Sequence, residues 1–124
     1  MIFLFVVSAV FFGFFTYLDG EESLKTRSLG GHEWNPLMRD GQRKFTPIRY
    51  WVANAVFVVL NIVAYANKWG EDGVEITSNW QPAAVLFLVG AVHVFGYFTN
   101  QSKVKQLKWW AANPGAAGTI NPNV

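Results

Sequence analysis

His93 lies within an otherwise apolar run, residues 82–99, where an ionisable side chain marks a functional site by default. Such an imidazole could ligate a tetrapyrrole or a metal, with Gly90 and Gly96 leaving room, or relay a proton. It could also be a neutral ring making an interhelical hydrogen bond. The last reading is favoured, because the apolar runs hold no second His or carboxylate to complete a metal shell or a proton path. A second apolar run, 48–67, carries Asn54 and Asn61, followed by Tyr65 and Lys68. Their helical spacing places all four on one face. Amides in hydrocarbon need partners, and a matching seam of Ala83, Gly90, His93 and Tyr97, with Gly90 small enough for close helix approach, could supply them. Antiparallel neighbours put Asn54 and His93 at similar depth, so the two are expected to face each other.

A second polar group, Asp19, Glu21, Glu22, His32 and Glu33, has oxygen and nitrogen donors that could hold a divalent cation. Ion pairing with Lys25, Arg27, Arg39 and Arg43 is the preferred expectation. No metal site is therefore assigned. Glycine-rich phosphate loops, nucleophile elbows and zinc-protease motifs are missing from the sequence.

The elements that must position these residues are three apolar stretches, 1–18, 48–67 and 82–99. At about 1.5 Å rise per residue each spans roughly 27–30 Å, the thickness of a bilayer's hydrocarbon core. The expectation is an all-α integral membrane protein, one domain over residues 1–124, with three transmembrane helices and short interfacial helices. A composition of 52% hydrophobic and 15% charged residues, clustered in blocks, excludes an ordinary soluble domain. The first stretch has no basic n-region and no small-residue cleavage site, so it reads as an uncleaved anchor. Lys and Arg concentrate in the loop 19–47 and after residue 102, which predicts a cytoplasmic loop and C-terminus and an external N-terminus.

Locally, Glu21 and Lys25 are spaced for a helical pair, and Gly30-Gly31 offers a stop. Asn35-Pro36 predicts a cap and a short helix through Arg39. Thr46-Pro47 predicts the start of the second span, and Asn79 with Pro82 the start of the third. Tyr50, Trp51, Tyr65, Trp69, Trp80, Tyr97, Trp109 and Trp110 read as interface anchors. Arg43, Lys44, Arg49, Lys103, Lys105 and Lys108 are placed to meet anionic lipid head groups, and the third helix is expected to continue to Trp110. The uncharged tail 111–124, with two Asn-Pro pairs, is expected to be disordered unless a partner holds it. A net charge of +2 gives no case for nucleic acid, and the lack of Cys excludes disulfides and thiolate chemistry.

In its first loop the chain resembles a family of uncharacterised small membrane proteins of bacteria and archaea. The shared features are an acid near a span end, here Asp19, then Thr26, and the segment Glu33-Trp34-Asn35-Pro36-Leu37-Met38. The resemblance covers about a quarter of the chain. It implies a compact multi-span protein of a bacterial or archaeal cytoplasmic membrane and carries no assigned activity. On physical grounds Glu33, Asn35 and Pro36 are expected to organise the turn. The leading functional expectation is a non-catalytic accessory subunit that packs beside other integral membrane subunits and clips one of them with its tail. The alternatives are a holin-like pore lined by the Asn54–Asn61 stripe, and a cofactor-binding subunit using His93.

Overall fold

The computed structural model describes residues 2–33, 35–67 and 80–122. It consists of α1 (Ile2–Ser28), α2 (Pro47–Ala66) and α3 (Trp80–Ala112), followed by a 3-10 turn at Pro114–Ala116. All three α-helices are long and apolar enough to cross a membrane. Among the described residues there is no strand beyond a single bridge between Arg39 and Phe45.

The principal packing partner of α1 is α3, although α2 lies between them in sequence. The inward residues of α1 are Phe5, Ser8, Phe12, Thr16, Asp19, Ser23 and Thr26, steps of three and four that repeat about every 3.5 residues. Ala83, Leu86, Gly90 and Val104 continue the same period on α3, with His93 and Asn100 between them. In lipid no hydrophobic force drives helices together, so small residues that permit close approach and polar pairs that leave hydrocarbon do this work. Gly90 shows the first device: a Cβ there would lie 2.7 Å from the Phe11 ring and 3.3 Å from the Phe12 backbone. Phe12 and Leu86 are fully enclosed, and Phe57, Val58 and Tyr65 of α2 pack on this core, Phe5 and Tyr65 with ring centroids 4.4 Å apart.

The buried residues of α2 are Tyr50, Asn54 and Asn61, each carrying a polar group. Its apolar Ile48, Val52, Val56, Val59, Leu60 and Ile62 face outward, the pattern of a helix in lipid. Its start at Pro47 follows the sequence expectation, but the Thr46 side chain makes no capping bond. The expected caps at Asn79, and Lys68 and Trp69, lie outside the described residues, as does Trp34.

Helix α1 runs ten residues beyond the expected span end. Its stop is at the glycine pair: Gly30 takes φ +83°, and the Gly31 N–H returns to the Thr26 carbonyl. Lys25 pairs with Glu22, at 3.0 Å, and not with Glu21, because Glu22 lies on the inner side of the same turn. In place of a short helix through Arg39, Asn35 begins a single turn closed by the Met38 N–H on its carbonyl. The chain then doubles back, since Asp40 Oδ1 accepts the N–H groups of both Gln42 and Lys44. The Lys44 and Gln42 amides hold the Asp40 carboxyl below its ordinary range, so their support is present above that range and fades as pH falls through it. Arg27 donates to the Phe45 carbonyl and fastens the returning strand to α1.

The tail makes bonds of its own with α3. Thr119 O accepts from Trp110 Nε1 at 2.7 Å and Gln106 Nε2 at 3.0 Å, and Gln106 Oε1 accepts the Asn121 N–H at 2.9 Å. Asn121 is buried, and these bonds fold the described part of the tail back on its own helix. Gln106→Ala removes both of its tail bonds. The Asn121 amide is then expected to exchange with solvent about fivefold faster, measured by hydrogen–deuterium exchange, as for a lost bond worth about 1 kcal/mol. Unchanged protection would contradict this tether.

Candidate functional site

At one level of the bundle, each helix contributes a polar side chain to a common point. From α1, the Asp19 carboxylate enters the interface because α3 has glycine opposite: a Cβ on Gly96 would lie 2.8 Å from both carboxylate oxygens. From α3, His93 Nδ1 lies 2.7 Å from Asp19 Oδ2, and Asn100 Nδ2 donates to Asp19 Oδ1 at 2.9 Å and to Ser23 Oγ at 3.1 Å. From α2, Asn54 Oδ1 lies 3.0 Å from His93 Nε2, while Asn54 Nδ2 is committed to the Tyr50 carbonyl at 2.8 Å. The Tyr50 hydroxyl donates to the Thr16 carbonyl at 2.6 Å and brings its oxygen within 3.3 Å of His93 Nδ1. Tyr50 fits there because α1 has Gly20 beneath it, where a Cβ would lie 2.7 Å from the Tyr50 ring.

Each ring nitrogen of His93 thus faces a side-chain oxygen, Asn54 Oδ1 at Nε2 and Asp19 Oδ2 at Nδ1. Both side chains are nearly enclosed, at 11% and 12% exposure. The rings of Phe12 and Tyr50 meet the imidazole edge-on, with centroids at 5.5 and 5.7 Å. A ring confined on its faces and engaged at both nitrogens is a structural clasp across three helices.

Beside the clasp runs a cleft of about 450 Å³. Ser23, Glu33, Asn35, Asn100 and Lys103 line its end nearest the loop. Ala53, Phe57, Val89 and Val92 line its deeper walls.

The sequence-derived residues separate into groups. Asn54 and His93 meet as the spacing indicated. Asn61 lies apart, donating to the Phe57 carbonyl at 2.9 Å, and Gly90 receives α1 instead of α2. Asp19, Glu22 and His32 do not assemble: Asp19 goes to α3, Glu22 to Lys25, and the His32 carbonyl to Lys103. Among the described residues no group of three or more His, Cys, Asp or Glu is placed to hold a metal ion. Glu33 Oε1 accepts the Asn35 N–H, and Asn35 Oδ1 accepts the Leu37 N–H across Pro36. Three cations considered for head groups each make one internal bond: Lys44 donates to Gly30 O, Arg49 to Arg39 O and Lys103 to His32 O. Arg43, Lys105 and Lys108 are exposed. Tyr50, read as an interface anchor, is 4% exposed and belongs to the clasp.

Asn100 and Ser23 escaped the sequence reading. Their signal is that Asn100 follows His93 by one heptad and Ser23 follows Asp19 by one helical turn, which becomes visible once α1 and α3 are paired. Comparison with family models, curated proteins and solved structures finds no match for the chain.

Proposed function

We propose that this chain is a non-catalytic accessory subunit of a larger hetero-oligomeric assembly in a bacterial or archaeal cytoplasmic membrane, with its basic loop and C-terminus in the cytoplasm. The observation that carries the reading is the division of α2. Its fully buried residues, Tyr50, Asn54 and Asn61, carry polar groups, of which Tyr50 and Asn54 reach α1 and α3, while Ile48, Val52, Val56, Val59, Leu60 and Ile62 are turned outward. Such a helix is held in place by its own bundle and leaves a broad surface for lipid and for neighbouring spans. The partner surface is assigned to this face of α2 and no longer to the tail, which is fastened to α3.

The same geometry weighs against the alternatives. A pore lined by Asn54 and Asn61 would have to turn outward two amides that bond within the chain. A tetrapyrrole or metal at His93 would have to displace Asp19 or Asn54 from a ring nitrogen. Asp19, Glu33 and Asn35 line one cleft.

The test is gentle-detergent purification of the tagged chain from its native membrane, followed by mass spectrometry of the intact assembly and an absorption spectrum. Stoichiometric recovery of larger membrane subunits without a pigment on this chain is the expected result. A homo-oligomer alone, or a chromophore lost in His93→Ala, would overturn the proposal.

A further inference from the structure

We infer that the cleft between α2 and α3 is a binding site for one glycerophospholipid with a primary-ammonium head group. The inference stands independently of any protein partner. Three features of the cleft carry it. The first is polarity along the membrane normal: Glu33, Asn35 and Lys103 lie at the loop end, and Phe57, Val89 and Val92 form the wall beyond. Val89 and Lys103 are fourteen residues apart on α3, so the cleft follows the helix for about 21 Å, the reach of a head group and much of one acyl chain. The second is lateral access, since Val92 at the wall is 65% exposed and opens the cleft to the bilayer side.

The third is charge. The mouth carries one carboxylate and one ammonium, Glu33 and Lys103, a pattern complementary to a ligand that carries both signs. Lys103 spends one of its three N–H groups on the His32 carbonyl, and Glu33 spends one carboxylate oxygen on the Asn35 amide. The remaining N–H groups suit a phosphate, and the second carboxylate oxygen suits an N–H donor. A primary ammonium supplies that donor; a quaternary one has no N–H, and an anionic head group leaves Glu33 facing like charge.

The full chain would be reconstituted in nanodiscs containing equal parts of phosphatidylethanolamine, phosphatidylcholine and phosphatidylglycerol. Lipids retained on release into mild detergent would be counted by native mass spectrometry. One phosphatidylethanolamine per chain is expected, retained roughly ten times as often as either competing lipid, the value of a charge-assisted hydrogen bond of about 1.4 kcal/mol. Glu33→Gln keeps an acceptor for the Asn35 amide and is expected to abolish the preference over phosphatidylcholine. Val92→Trp, which fills the apolar wall, is expected to remove the retained lipid altogether, whereas Lys105→Ala leaves it bound. Should Val92→Trp fail to fold by circular dichroism, Glu33→Gln alone decides. Retention that follows the bilayer's proportions, favours phosphatidylglycerol, or survives Glu33→Gln unchanged would overturn the inference.

Discussion

Asp19→Ala is expected to destabilise the bundle by about 3–5 kcal/mol, the cost of removing an enclosed carboxyl group and leaving two buried polar partners, His93 and Asn100, without it. The carboxylate lies 2.7 Å from His93 Nδ1 and also accepts from Asn100, so its loss strips two donors on α3 at once. Asp19→Asn is expected to cost less, because an amide can still hydrogen-bond the ring nitrogen. The measurement is reversible unfolding in mixed micelles followed by circular dichroism. A double-mutant cycle with His93→Ala isolates the pair: the double variant should be markedly more stable than the sum of the single losses implies. Additive losses, or a cost for Asp19→Ala below about 1 kcal/mol, would show that the clasp does not hold the helices.

Gly96→Ala is expected to cost about 1–3 kcal/mol although it adds a single methyl group, because the position has no space to give. The added carbon would stand 2.8 Å from both Asp19 oxygens, closer than real contacts of that kind. Either the carboxylate leaves His93 and Asn100 or α1 moves away from α3. The discriminating result is dependence on Asp19: in an Asp19→Ala background the same substitution should cost little, since the atoms it strikes are gone. Equal cost in both backgrounds would mean that Gly96 serves helix conformation and not the carboxylate.

How far the sequence revealed this arrangement depended on the helix. On α3 the small and polar residues Ala83, Gly90 and His93 stand out against a plain apolar background, and their spacing is that of the buried seam. On α1 the equivalent stripe of Ser8, Thr16, Ser23 and Thr26 is obscured by Phe residues pointing in every other direction. Asp19 illustrates the deeper reason. A carboxylate after eighteen mainly apolar residues reads as the end of a span, since an isolated charge is costly in hydrocarbon. Its actual environment is set by Gly96, His93 and Asn100, all more than seventy residues away. The reading that His93 lacks a carboxylate partner failed for that reason. The contacts of the tail are hidden for the same reason: its own composition contains nothing to hold it, and the groups it bonds, Gln106 and Trp110, belong to the preceding helix.

The pairing of the first helix with the third, across an intervening second, also has a consequence for synthesis. Asp19 is translated 74 residues before His93, an interval of roughly 4–15 s at 5–20 residues per second. Throughout that interval the carboxylate has none of its final α3 partners, and water is the only solvent able to hold it. The first span must therefore wait with Asp19 at the membrane surface, and the arrival of the third span is the event that draws it in.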